Sequence, residues 1–445
     1  MKKIIIIIGL LAIISSCADY QSGELVGVGD RGQYYEPEPF GMIFVPQGNF
    51  KMGPVEEDIT NNLNTMVQNV SLDAFWMDET EITNNEYRQF VYWVRDSIMR
   101  RLLAEQLDDY AISEGRDGEI YDPPHLNWET PINQEDEEVS QILKEMYFQG
   151  DEKFWGRKEI DTRKLIYEYY WVDYKQAANK SNRYNLKKKE YEGYVINQQG
   201  ERVEIESRAD FIIRDKVNVY PDTLCWIADF TYSYNEPWTK TYFSHPAYDN
   251  YPVVGVNWKQ ANAFCIWRTN LLNSALVKRG NNLVHDYRLP LEAEWEKAAR
   301  GGLQRAKYPW GGPYARNRQG CVLANYKPLR GNYADDGASH TITVGSYSPN
   351  QFGLYDMAGN VAEWTASAYD ESSYAYTHDL NPDYKYNARP DDPGVLKRKV
   401  VRGGSWKDVA YFLECGTRTY EYADSAKSYI GFRCVRTYLG NRRIQ

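Results

Sequence analysis

The sequence predicts an α+β domain that is poor in regular secondary structure, and three observations carry the prediction. A stretch near the front, "GMIFVPQGNFKMG", alternates apolar and polar residues as a half-buried strand does. Two later stretches have apolar residues at helical spacing behind their own start signals. The last third is rich in Gly, Asn, Pro and aromatics with little helical period, which reads as short strands joined by long ordered loops. The chain has 445 residues, 42% hydrophobic and 15% aromatic, too aromatic for disorder. Its net charge of −10 argues against general nucleic-acid binding, which needs clustered Lys and Arg.

Taken in order, residues 1–16 read as a signal peptide: Lys2 and Lys3, an apolar run from Ile4 to Ile14, then small residues before Cys17. The run is shorter than the roughly 20 residues that span a bilayer. The ending "ISSC" resembles a bacterial lipobox, which implies acylation of Cys17 and anchoring to a membrane. Residues 17–40 lack a hydrophobic period and read as a tether, residues 41–437 as the folded body, and residues 438–445 as a tail.

Within the body, Thr83 and Glu86 form a capping box ahead of an apolar stripe of Phe90, Val91, Val94 and Ile98, which predicts a helix from about Asn84. From about 96 to 245 the character changes. Charged runs alternate with Tyr-rich stretches such as "KLIYEYYWVDYKQAANK", read here as a large helical insert. Regular patterning returns with "YPVVGVNW", a strand, and a helix starting at Asn257. A second helix in "LEAEWEKAARGG" is stopped by Gly301 and Gly302. The five histidines, His125, His245, His285, His340 and His378, are dispersed and offer no zinc-type cluster.

The segments "MIFVPQGNFKMG", "ETEITNNEY", "YPVVGVNW", "RLPLEAEWEKAARGG", "YPWGG", "NQFGLYDMAGNVAEWT", "RGGSW" and "IGFR" occur in this order. In that order they resemble the formylglycine-generating-enzyme (sulfatase-modifying factor) family over about 40–95 and 245–437. The resemblance implies a compact α+β fold related to C-type lectins. It also implies a copper site made by two cysteines, three and eight residues past the serine of "GGS", since thiolates suit Cu(I). Counting from Ser405 gives Asp408 and Leu413; counting back from Cys434 gives Ser405 and Ala410. No cysteine lies anywhere from Arg402 to Glu414, so neither copper nor its oxidase chemistry is expected.

The resemblance further implies a Cys265–Cys434 disulfide, which an oxidising compartment permits. The family partner of Cys415 falls on Ala299, so that bridge is not expected; Cys321 is a candidate partner for Cys415, a pairing the sequence leaves open, with Cys225 then the odd thiol. The alternative is that all five are reduced and buried. Structural calcium is implied at two places. One uses the side chains of Asn325 and Asp336 with the carbonyls of Tyr326 and Ala338. The other uses the Glu363 carboxylate with the carbonyls of Ala358, Gly359 and Val361. Loop hydrogen bonds are the alternative role for both acids.

The lipoprotein leader, the Tyr- and Lys-rich insert, "CVLANYKPLRGNYADDG" and "LKRKVVRGGSWKD" are similar to the gliding-motility lipoproteins of the type IX secretion system. That resemblance implies a ring assembled with a GldN/PorN-type periplasmic protein at the periplasmic face of the outer membrane. The insert supplies candidate partner-binding residues: Tyr167, Tyr169, Tyr170, Trp171, Tyr174, Lys187, Lys188 and Lys189. The run "RYNLKKKEY" is also a candidate for contact with anionic lipid headgroups or peptidoglycan. The leading expectation is a non-enzymatic scaffold. The alternatives are an enzyme using the same cleft, either a residual oxidase or a carbohydrate-processing activity, and a lectin-like module binding glycan or peptide.

Overall fold

Thr83 and Glu86 begin the first long helix as the sequence predicts. The computed structural model describes residues 34–55, 66–115, 118–329, 331–335 and 337–440. Helix α1 spans Asn84–Ala104: Thr83 Oγ1 accepts from the Glu86 amide at 3.3 Å, and the Glu86 carboxylate accepts from the Thr83 amide at 2.8 Å. Tyr87, Phe90, Val91 and Val94 are buried. The helix runs past the expected start of the insert at 96, because Met99 and Leu103 continue the apolar stripe into the core. Helix α2, Trp258–Lys278, starts the same way, with Asn257 and Gln260 exchanging side-chain and amide hydrogen bonds of 2.9 and 2.8 Å. Helix α3, Glu292–Ala299, is buried along its whole length and gives way to Gly301 and Gly302, both at positive φ.

Two four-stranded sheets frame these helices. The first is antiparallel, in the order Met42–Val45, Phe75–Asp78, Val435–Thr437, Tyr287–Arg288. The second runs Thr419–Tyr422, Arg398–Arg402, Ala362–Ala368, Ile430–Gly431, with the last pair parallel. The main core is an aromatic packing of Tyr87, Phe90, Phe264, Trp267 and Phe432. Residues 301–361 hold only turns and isolated bridges among the described residues, as the sequence predicts. No helix among the described residues is long and apolar enough to cross a membrane.

The insert corrects the sequence reading: it mixes antiparallel strand pairs with short helices such as Glu137–Ile142 and Glu236–Thr241. Ile166–Val172, expected to be helical, is a strand paired antiparallel with Ile212–Asn218. Tyr, Ile and Val favour the pleated backbone, and alternate residues face the core and solvent. Between these two strands, hairpins pair Tyr184–Asn185 with Glu190–Tyr191 and Tyr194–Ile196 with Arg202–Glu204. Helix in the Tyr-rich stretch is confined to Tyr174–Ala178.

Lys399, in the second sheet, is almost wholly buried. Its ammonium donates to the Tyr386 carbonyl at 2.9 Å and lies 3.9 Å from the Trp258 ring centroid. Burial, helped by Lys385, lowers its pKa to about 7. Between that value and the ordinary lysine range, the unfolded chain binds the extra proton, so this residue makes stability rise with pH. Urea unfolding at pH 7 and pH 9 should show that rise, and Lys399→Met should flatten it.

Candidate functional site

The loop after strand Arg398–Arg402 is where the resemblance places a thiol site. Gly403 and Gly404 open it at positive φ, and a Cβ on Gly404 would lie 2.8 Å from the Phe412 carbonyl oxygen. One Asp408 carboxylate oxygen accepts from the Ser405 amide at 3.0 Å and from its hydroxyl at 2.6 Å. The other accepts from Lys407 at 2.9 Å. Leu413 is fully buried among Tyr308, Ala315, Ala324, Tyr326 and Ala358. The Ala410 carbonyl accepts from the Tyr308 hydroxyl at 3.2 Å. Both ways of counting therefore land on hard or apolar groups engaged in holding the loop. The nearest thiol in sequence, Cys415, is buried, and burial pushes its pKa up to about 12.

A second layer went unread in the sequence: the end of the insert packs over this loop. Trp406 stacks on Trp226 at 6.2 Å between ring centroids, and has Phe230 at 5.2 Å and His340 at 5.0 Å. Trp226 and Trp238 also flank His340, at 5.6 and 5.0 Å. Burial lowers the His340 pKa. One oxygen of the Asp229 carboxylate accepts from the Ser428 amide and hydroxyl at 2.7 and 2.8 Å, and the other sits 3.4 Å from the Lys427 ammonium. The signal was present as the run of aromatics in "CWIADFTYSYNEPWTKTYF".

Beneath the loop lies a chain of buried charges. Arg402 pairs with Glu296 and lies 3.3 Å from Glu292; Arg300 holds Glu296 at 2.6 Å, and Arg418 holds Glu292 at 2.6 Å. Separately, Arg433 grips Glu363 with bonds of 2.7 and 2.9 Å, and Trp295 Nε1 donates to the same carboxylate at 2.7 Å. Glu81 and Asp356 are buried near this pair. Burial first, and then the neighbouring carboxylates, raise the Glu81 pKa well above the usual range; burial lifts that of Asp356 to about 6.

That geometry corrects one calcium assignment. Both Glu363 oxygens are taken by Arg433 and Trp295, so a cation already neutralises the carboxylate, and the set with Ala358, Gly359 and Val361 does not fit a divalent ion. The other set fits in part. Asn325 is buried, its amide nitrogen donates to the His340 carbonyl at 2.8 Å, and its Oδ1 has no partner, leaving a hard donor unused. Tyr326 is buried, Ala338 is half-buried, and Asp336 lies outside the described residues. No three His, Cys, Asp or Glu side chains converge on a metal position among the described residues.

The remaining sequence candidates divide. Cys265 and Cys434 are brought together as buried thiols with sulfurs 3.3 Å apart. Cys415 and Cys321 are not brought together: the first is buried beside Val45, Phe75 and Val435, while the second is exposed in a turn held by Asn317. Cys225 is buried, which raises its pKa. Tyr167 and Tyr169 are core residues, not partner contacts; Tyr167 meets Phe90 edge-on at 5.3 Å and stacks on Tyr169 at 5.8 Å. Trp171 is half-buried, whereas Tyr170 and Tyr174 are 63% and 74% exposed and Lys187, Lys188 and Lys189 are exposed. Cys17 lies outside the described residues.

Residues 32–438 match the Sulfatase-modifying factor enzyme 1-like domain. The chain belongs to that family. Among relatives of this sulfatase-modifying-factor domain is a bovine protein named "Inactive C-alpha-formylglycine-generating enzyme 2". It is 35% identical over 191 residues, which are 42% of this chain and 50% of that protein. The mouse "Formylglycine-generating enzyme" is 33% identical over 200 residues, 43% of this chain and 45% of that protein. The chain spans about half the length of these relatives. PvdO from Pseudomonas aeruginosa is a structural neighbour with a TM-score of 0.42 and 16% identity, covering 89% of this chain and 94% of that one. The family thus includes members named as generating enzymes and members named as inactive.

Proposed function

We propose that this sulfatase-modifying-factor domain is non-catalytic and serves as a structural lipoprotein of the GldK (PorK) type. In this reading Cys17 is acylated and holds the body at the periplasmic face of the outer membrane. The body self-associates into a ring of the type IX secretion and gliding-motility machinery, together with a GldN/PorN-type partner. The observation that carries the non-catalytic part is the loop from Arg402 to Glu414, which has no sulfur donor and whose counted positions are Asp408 and Leu413, or Ser405 and Ala410. A two-coordinate Cu(I) site needs soft ligands, and neither a carboxylate engaged with Ser405 nor a buried leucine supplies one. The relatives named inactive support the same reading. The scaffold part is supported by the insert, whose Tyr170 and Tyr174 are exposed. A Cys265–Cys434 disulfide, and calcium held with the Asn325 side chain, belong to this proposal as structural supports.

The test is the size and composition of the membrane-extracted complex, by electron microscopy with mass spectrometry. A ring containing this chain and a second periplasmic protein is expected. Tyr170→Ser with Tyr174→Ser should shrink it while leaving the unfolding midpoint of the body unchanged. Deleting 160–200 is unsuitable because it removes core residues Tyr167 and Tyr169. Alkylation of the same preparation after unfolding in denaturant but before reduction should leave Cys265 unmodified. A solitary particle, or oxygen consumption on addition of Cu(I) and a peptide thiol, would overturn the proposal.

A further inference from the structure

The hairpin of Tyr184–Asn185 and Glu190–Tyr191 is a preformed cationic tip on an acidic protein. Its turn is Leu186, Lys187, Lys188 and Lys189. Asn185 fixes it: its side-chain oxygen accepts from the Lys187 and Lys188 amides at 3.0 and 3.2 Å, and its carbonyl accepts from the Lys189 amide at 2.7 Å. The hairpin base is packed on the preceding turn, since a Cβ on Gly193 would lie 2.4 Å from the Ser181 carbonyl oxygen. That turn adds Lys180 and Arg183, both exposed, so residues 180–192 carry five cations against Glu190 and Glu192, a net charge of +3 (5 − 2). Lys188 pairs with Glu192 at 2.6 Å, whereas Lys187 and Lys189 make no ion pair among the described residues. At the apex Leu186 is 83% exposed, and Tyr184 beside it is 44% exposed.

We propose that this tip docks on a bilayer surface bearing anionic headgroups. The cations match such a surface in charge, and the apical leucine finds an apolar layer at the headgroup–acyl boundary, which a glycan would not provide. This net-positive unit stands against a chain whose net charge is −10, so the attraction is local to the tip. The proposal rests on the membrane anchoring proposed above for its setting, and the assay separates the two.

Full-length protein is mixed with vesicles of phosphatidylcholine alone, or with phosphatidylglycerol as about a third of the lipid, the two arms differing only in charge. Flotation reports binding. Acetylation of Lys187 and Lys189, read by mass spectrometry against exposed Lys278, reports the hairpin. Acetylation should fall about fivefold on the anionic vesicles, recover at high salt, and stay unchanged on neutral ones. Leu186→Ser with Lys187→Gln and Lys189→Gln should abolish the preference for anionic vesicles. Flotation on both lipids with no protection at the tip would overturn the proposal and leave the anchor standing. Protection that appears only when a periplasmic partner protein is added would overturn it in favour of protein docking. Flotation confined to anionic vesicles, with the tip protected, would support it and remove the anchor instead.

Discussion

Arg433→Met should destabilise the body by about 3–5 kcal/mol, because it leaves an ionised carboxylate buried without its cation. Arg433 is fully buried, clasps Glu363 through two of its nitrogens, and donates to the carbonyls of Asp78 and Tyr355 at 3.1 and 2.9 Å. Glu81 and Asp356 lie in the same field and already have raised pKa values. With the guanidinium gone, the carboxyls must take up protons to stay buried. A carboxyl whose folded pKa is raised loses its relative stability as pH climbs from the unfolded value to the folded one. The deficit should therefore be largest near pH 8 and smallest near pH 5, as measured by urea unfolding. Adding Glu363→Gln should recover part of it. A loss of less than about 1 kcal/mol, the scale of an exposed pair, would mean the cluster is hydrated.

Trp406→Ala should cost about 3–5 kcal/mol as well, for a different reason: it empties the centre of an aromatic stack. Trp406 touches Phe230, Trp226 and His340, and its Nε1 donates to the Ser428 carbonyl at 3.3 Å. The substitution removes the surface on which the end of the insert rests, so limited proteolysis should open new cleavage within 226–242 before the remainder of the body is cut. By contrast, Tyr170→Ser on the exposed strand face should change stability by less than about 0.5 kcal/mol. Equal effects of the two substitutions would contradict the assigned packing.

Elements with a local signature were legible in the sequence. The capping residues Thr83 and Asn257 and the paired glycines after Ala299 mark helix ends by chemistry contained within a few residues. The Tyr-rich stretch was not legible, because its aromatic and apolar residues are compatible with a helix or a strand until Ile212–Asn218 is known to pair with it. Tyr167 and Tyr169 were misplaced for the same reason: only the strand's alternation turns them inward while Tyr170 stays out. Glu363 was misassigned because its partner, Arg433, is 70 residues away in sequence. The site loop was legible as a loss of sulfur, and the aromatic cover over it was not, since Trp226 and Trp406 meet only through the tertiary fold.

Val435–Thr437 occupies an inner position of the first sheet, between Phe75–Asp78 and Tyr287–Arg288. As the chain is synthesised N-terminus first, one neighbour of that strand ends 357 residues ahead of Val435 and the other 147 residues ahead (435 − 78 and 435 − 288). Until it arrives, Asp78 lacks the Cys434 amide that it accepts at 2.8 Å, and Glu363 lacks Arg433. The first sheet therefore cannot close until residues 435–437 are available, and a product ended before them would leave its two halves unjoined.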